Sequence, residues 1–509
     1  MKGYYLTVKK IVLTLLGLNI LVNSLFNSFN VINSDTVWSY LLLPHFFNDM
    51  VYLATDTFVL HYPISFLLVK FIGLNSTLVF VDTFFLVVIT LTGWLVFYLY
   101  FLKKYTLGIK LIHILPAFLF VNFSLTFYQM ISIPSLRNIE FAIAFLLLIY
   151  FDNFILLERR TLLKVGVFLM MLLLFISDPY FIYLYAAPLL LILLIRAWKN
   201  SQYRNISGLL LVTIVANEAI RYILNKTQYF LVYGVNNAHL VFPGKIASNI
   251  SLTIKGILNI FDSYPNIHLL SFLSISLSLL GVYGLYIMFK KGLADNKHIA
   301  LLLLPLCFVF TILAYITSGQ PTDMATSRYL IFIVFMLPFG ICYTISRFSS
   351  KYVRITITLG LISLSLANFI QMYFVFKGAN NLQQYEKNQL IIKTVQKYGV
   401  HYGYTSYWNS GVNTFLSGNV LKFIQVGCFN KRIQPHKWLA SESWFDKNTY
   451  KGKTFLLIDF EGSYTPELKG CDLNDVIEQF GKPAQIIPLR YQGAKTSFII
   501  FDYNIAEEF

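Results

Sequence analysis

Charge is scarce in this chain: Asp, Glu, Lys and Arg together make up 13% of its 509 residues. Soluble domains carry about 25%, so a wholly water-exposed globule is excluded. Acids are scarcer than bases, 24 against 40. The basic excess falls as short clusters between apolar runs rather than on one face, which excludes a nucleic-acid groove and leaves no nucleic-acid partner. There is no CxxC, HExxH or short DxD pair, and no GxGxxG or Walker-type loop. Zinc sites of the usual spacing and glycine cradles for phosphate are therefore excluded. Oxygen-only cation sites leave no spacing signature, so a divalent metal stays open without support, and no cofactor is assigned. Cysteines number four. Cys307 and Cys342 fall in apolar runs; Cys428 and Cys471 lie in the polar C-terminal part and can pair if that part is outside the cytosol. Internal repeats, low-complexity tracts and the matched broken helices of many transporters are all missing.

What the chain has is apolar length. Hydrophobic residues make up 57% and aromatic residues 17%, and mean hydropathy is +0.63. This is the composition of a polytopic α-helical membrane protein. A crossing helix needs about 20 apolar residues, and loops rich in Lys and Arg stay in the cytoplasm. Lys9-Lys10 place the N-terminus inside, and the first span runs over about 11–30 as a retained helix rather than a cleaved signal. Further spans are expected at about 77–101, 111–129, from 141 to Glu158-Arg159-Arg160, 162–177, and back to the basic RAWKNSQYR. Others follow at 206–224, up to Lys290-Lys291, out to SGQPTDMATSR, from Tyr329 to RFSSKYVR, and at 355–376. That makes about eleven, with every basic loop on one side. Pro63–Leu74 is too short to cross and return, and is expected to lie along the outer interface.

The division that follows is a transmembrane domain, residues 1–376, with outer loops 31–76 and 225–267, and an extracytoplasmic α/β domain, 377–509. In the latter, EKNQLIIKTVQKYG predicts an amphipathic helix stopped by Gly399, and DLNDVIEQFG a short helix with an Asp cap and a Gly stop. HYGYTSYW, KTFLLID, AQIIPLRY and TSFIIFDY predict strands. About 130 residues can support a core of their own.

The outer face so defined collects the chemistry: Asp35, Asp49, Asp56, His61, Arg137, Asn138, Glu140, Asp178, Arg221, Lys245, Asp323 and Arg328, with Glu218 beside Arg221 and Asp262 in the long loop. A carboxylate at the outer end of a span is costly unless it has work to do, and an ionised oxygen there can take the proton of an acceptor hydroxyl. Arginines at that depth can hold a phosphate through paired donors. Each has a plainer reading. Asp35 can cap a helix, Asp49 and Asp56 can be loop residues, His61 can be packed, Asp178 can end a helix before Pro179, and Arg137 and Arg328 can anchor at headgroups.

A first span followed by Asp35, a stretch resuming at HYPISFLL, and a second span ending in a basic turn resemble the GT-C fold glycosyltransferases. The resemblance is to the branch of protein O-mannosyltransferases and the lipid A aminoarabinose transferase. TSRYLIFIVFMLP is similar to an Arg-Tyr motif opening a late span, and GYTSYWNSGVNTFLSG to a Tyr-Trp segment of some bacterial relatives. Thr36 stands where many relatives have Glu, and His61-Tyr62 where they have Lys-Pro or Pro-Pro. The resemblance implies a glycosyltransferase of the inner or plasma membrane. Its donor would be a polyprenyl-phosphate sugar, and its acceptor an extracytoplasmic glycan, lipid or protein. Asp35 would be the base, Asp178 or Glu140 a second acid, and Arg137, Arg328, Arg221 and Lys245 candidates for the donor phosphate. Two other readings stand beside it: a lipid-linked glycan flippase, which would need charges midway along the spans, and a catalytically silent GT-C-like scaffold.

Overall fold

The computed structural model describes residues 2–28, 32–46, 48–53, 58–121, 137–153, 161–198, 201–226, 230–232, 241, 243–261, 268–295, 298–319, 321–322, 324–378, 380–461, 470–491 and 494–509. The chain divides into two compact units. The first comprises residues 1–29, 83–221 and 234–378; the second comprises 30–82, 222–233 and 379–509. The C-terminal boundary falls where the composition changes. Residues 31–76, expected as an outer loop, fall within the second unit.

The first unit is helical. Six helices among the described residues are long and apolar enough to cross a membrane: Ser76–Tyr105, Tyr203–Ile223, Leu269–Ala294, Ala300–Thr317, Thr326–Arg347 and Lys351–Ile370. They coincide with the expected second and seventh to eleventh spans. Five further helices, which are not among those six, fall at least partly within the other expected spans: α1 (Lys2–Ser28), α5 (Leu111–Val121), α6 (Asn138–Asn153), α7 (Thr161–Ser177) and α8 (Ala187–Ala197). A helix satisfies its backbone internally, which hydrocarbon demands. The region 225–267 is not simply a loop, because Pro243–Phe261 forms a 19-residue helix, α10, after α9 (Ser201–Lys226).

The centre of this unit is α13 (Ile331–Arg347), buried over almost its whole length. Phe332, Phe335 and Phe339 pack among Trp94, Phe97 and Phe101 of α4 (Ser76–Tyr105) and Phe141 and Phe145 of α6. The Trp94 indole N–H donates to the Phe335 carbonyl at 3.0 Å. Against α11 (His268–Ala294) the contact is backbone to backbone: a Cβ on Gly340 would strike the Gly281 carbonyl, and one on Gly284 the Gly340 carbonyl. Small residues let membrane helices approach this closely.

In the second unit, α2 (Ser34–Leu42), β1 (Val51–Leu53) and α3 (Phe58–Ile72) precede the C-terminal elements. The latter are α15 (Asn380–Lys397), β3 (Tyr402–Thr405), α16 (Tyr407–Leu416), β4 (Lys422–Phe429), β5 (Arg432–Pro435), β6 (Ala440–Ser441), β7 (Thr454–Glu461), α17 (Leu473–Phe480), β8 (Gln485–Tyr491) and β9 (Ala494–Phe501). Six strands form a mixed sheet in the order β5-β4-β3-β7-β9-β8, with β4, β3 and β7 parallel. Side chains alternate between faces. Leu456, Ile458 and Ile499 enter one core, and Phe455, Leu457 and Phe498 the other beneath α15. Gly403 on β3 lies against the Phe455 ring, where a Cβ would clash. A second sheet, β2-β1-β6, pairs β1 in parallel with β2 (Phe230–Val232) and antiparallel with β6, joining three distant segments of the chain.

Three expected strands form as β7, β8 and β9; the fourth does not run through. HYGYTSYW is extended only over Tyr402–Thr405, and from Tyr407 the chain is helical. The helix closed by Gly399 is present, with Gly399 at φ +66°. So is the Asp-capped one: Asp472 accepts from the Asp475 amide and Gly481 sits at φ +74°. Cys428 and Cys471 form a disulfide, while Cys307 and Cys342 are free and buried. The expected interfacial helix begins earlier than Pro63, which lies inside α3.

Candidate functional site

The sequence NSDT dictates how Asp35 is held. Asn33 takes an extended backbone, and its side chain accepts from the Thr36 amide at 3.0 Å; the Thr36 hydroxyl accepts from the Asn33 amide at 2.9 Å. This reciprocal cap starts α2. Asn33, not Asp35, is therefore the cap, and Thr36 fills the reciprocal position that Glu often takes. Asp35 is left in the first turn, where the helix dipole favours negative charge by about 0.3–1 kcal/mol. Its Oδ1 accepts from the Tyr407 hydroxyl at 2.5 Å, and the preceding Ser34 hydroxyl donates to the Tyr407 carbonyl at 2.7 Å. The first turn of α2 is thus fixed to the first turn of α16. Partly exposed and carrying a phenol donor, Asp35 offers an oriented carboxylate oxygen.

Asp49 is a structural anchor. It accepts from the Ser441 hydroxyl, from the Ser443 amide at 3.0 Å and from the Met50 amide at 2.8 Å. Burial pushes its carboxyl up, but these hydrogen bonds outweigh burial and hold it below its ordinary value. Beside it, His45 receives the Trp444 indole N–H on Nε2 at 3.0 Å, with Nδ1 toward Ser443 and Asp49 at 3.4 and 3.7 Å. That arrangement requires a neutral imidazole bearing its proton on Nδ1. Burial lowers the His45 value, Asp49 opposes the shift and Lys422 adds to it. His61, from α3, is buried and bonds Asp82 at 2.7 Å, and Tyr40 donates to the same carboxylate. Asp56 lies outside the described residues.

In the first unit Arg137, at φ +64°, is buried with Nε on Asp178. Its guanidinium lies over the rings of Tyr180 at 4.4 Å and Tyr329 at 5.2 Å. Arg328 stands on the same Tyr329 ring at 5.4 Å. Glu140 accepts from the Ser177 hydroxyl at 2.5 Å, and Asn138 accepts from the Thr90 hydroxyl through its carbonyl and side chain at 2.9 and 3.2 Å. The structure therefore gathers Arg137, Asp178, Arg328, Glu140 and Asn138 into one neighbourhood. Within it, Arg137 and Asp178 are committed to each other. Arg221 pairs with Glu218 at 3.7 Å, and Lys245 is exposed near the start of α10. Asp262 and Asp323 lie outside the described residues.

Among the described residues no group of three or more His, Cys, Asp or Glu is placed to hold a metal ion. Comparison with family models, with curated proteins and with solved structures finds no match. Three contacts of polar groups, not all of them at the outer face, escaped the reading of the sequence. Tyr407 stands 372 positions from its carboxylate, beyond any local signal. Asp82 did carry one, an acid in an otherwise apolar 30-residue helix, which marks a special position in a membrane segment. Asp152 is similar: it accepts from Lys104 and Tyr100, each at 2.7 Å, from Tyr105, and from the Ala300 amide at 2.9 Å at the start of α12 (Ala300–Thr317).

Proposed function

We propose that this protein is an integral membrane glycosyltransferase. It takes a sugar from a polyprenyl-phosphate donor and passes it to an acceptor glycan, lipid or protein outside the cytoplasm, with Asp35 as general base. The observation that carries the reading is the Asp35–Tyr407 pair: a carboxylate placed directly after the first long apolar helix and aimed by a phenol 372 residues away. The carboxylate so oriented, with the dipole of α2 behind it, suits an incoming hydroxyl whose proton must leave as the new glycosidic bond forms. Polyprenyl phosphate is the leaving group, and its charge calls for cations. Arg328 is the first choice in the first unit, because it makes no ion pair among the described residues. Arg137 acts instead by positioning Asp178 and Tyr180.

The topology that goes with this function has about eleven spans, the N-terminus in the cytoplasm and residues 377–509 outside. The Cys428–Cys471 disulfide supports that orientation, since disulfides persist in oxidising compartments. The test is incubation of the purified protein in proteoliposomes with labelled polyprenyl-phosphate sugars. Release of polyprenyl phosphate in step with label incorporation supports the proposal; label that crosses the bilayer still attached to lipid would indicate a flippase.

A further inference from the structure

The second unit contains a cavity of about 140 Å³ against the Asp35–Tyr407 pair, since Ser34 and Tyr407 are both in its wall. Its volume is close to the ~150 Å³ of a cavity that admits benzene, and it is partly open, so that the substituents of a larger ring can extend out of it. Two indoles, Trp38 of α2 and Trp444, face it, together with His45, Asn419 and Lys422. Among the described residues no carboxylate lines it. Asp35 and Asp49 stand behind the wall, one bonded to Tyr407 and the other to Ser441 and Ser443.

Lys422 is the unusual member. It opens β4 half-buried, and its ammonium donates to Asn419 Oδ1 at 2.6 Å. It makes no ion pair among the described residues. An ammonium has three donors, so two remain for a ligand. Burial lowers the Lys422 value and, with help from Lys422, that of His45; an anion in the cavity would offset both effects. Trp38 belongs to the core and Trp444 is bonded to His45, yet both also present surface to the cavity, and flat aromatic faces suit the C–H face of a sugar ring. A neutral sugar would leave the ammonium uncompensated.

We propose that this cavity binds an anionic saccharide, a pyranose carrying a carboxylate or a phosphate, with its charge on Lys422 and its ring against Trp38 and Trp444. Binding stands on the cavity alone; that the bound saccharide is the acceptor rests on the transferase reading.

The test uses the full chain in neutral-lipid nanodiscs, titrated by tryptophan fluorescence with glucuronic acid, glucose 6-phosphate, glucose and inorganic phosphate. Both anionic sugars are expected to bind about tenfold or more tightly than glucose or phosphate. Lys422→Met should bring them to the level of glucose, and Lys422→Arg, which keeps the charge, should retain most of the preference and shows that the fold survives. Glucose binding as tightly as glucuronic acid overturns the proposal, as does phosphate binding as tightly as glucose 6-phosphate, or no saturable binding of either anionic sugar. A wild-type protein that binds these sugars yet transfers nothing overturns the transferase reading and leaves the cavity assignment standing. One that transfers without anionic preference does the reverse.

Discussion

A single carboxylate organises the residue scale. In this account Asp35 is useful because Asn33 and Thr36 take the capping work from it, and Tyr407 orients its carboxylate. Tyr407→Phe deletes one hydrogen bond to that carboxylate and keeps the ring that meets Trp408 and His436 edge-on. Transfer should fall about tenfold or more with KM little changed. The acidic limb of the pH–rate profile should move to higher pH, because a donor that favours the ionised form is gone; an unmoved limb would remove Tyr407 from the mechanism. Acid should also loosen the same region. His45 and His436, held by burial below 6.5, must be charged at a cost as pH falls beneath that value. Asp49, held below 3.8, contributes stability above that value and loses it as pH falls through its folded value. The urea midpoint read by tryptophan fluorescence should therefore drop in two stages. Asp49→Asn should abolish the lower stage and reduce the midpoint at neutral pH.

At the scale of elements, what could be read in the chain was whatever is locally coded. Long apolar runs became helices, and Asp472 and Gly481 bounded α17 as their chemistry requires. β4 was not legible, although it lies beside β3 in the sheet. Its polar Lys422 and Gln425 break the alternation, and Gln425 is tolerated in the core because its side-chain amide donates to the His436 carbonyl at 3.0 Å and to the Trp438 carbonyl. SYW has the aromatic content of a strand, yet Ser406 turns it into α16, whose first turn then meets α2: tertiary contact overrides propensity. Asp35, Arg137, Asp178 and Arg328 could be singled out as candidates from the sequence, but the partners of Asp35 and Arg137 could not, because pairs separated by 372 and 41 residues are made by the fold. Two expectations belong here. Gly340→Leu should prevent α11 and α13 from closing and sharply reduce recovery of folded protein in detergent, whereas Gly166→Leu, on open surface, should not. Cys428→Ser opens a 43-residue separation, which should cost the second unit about 2–4 kcal/mol in denaturant unfolding.

The whole molecule combines a helical unit whose long apolar helices suit a bilayer with a second unit whose α/β sheet and disulfide suit an oxidising, aqueous space. That combination underlies the proposal that sugar arrives on a lipid and leaves on something outside the membrane. Asp35 bears the chemistry in this account, and one measurement tests it most directly: the single-turnover rate of sugar transfer from a labelled polyprenyl-phosphate donor by the wild type and by Asp35→Asn, at equal amounts of folded protein in proteoliposomes. Loss of a positioned general base predicts a rate lower by about 10²–10⁴-fold with donor binding retained. Transfer by Asp35→Asn at the wild-type rate would contradict the account.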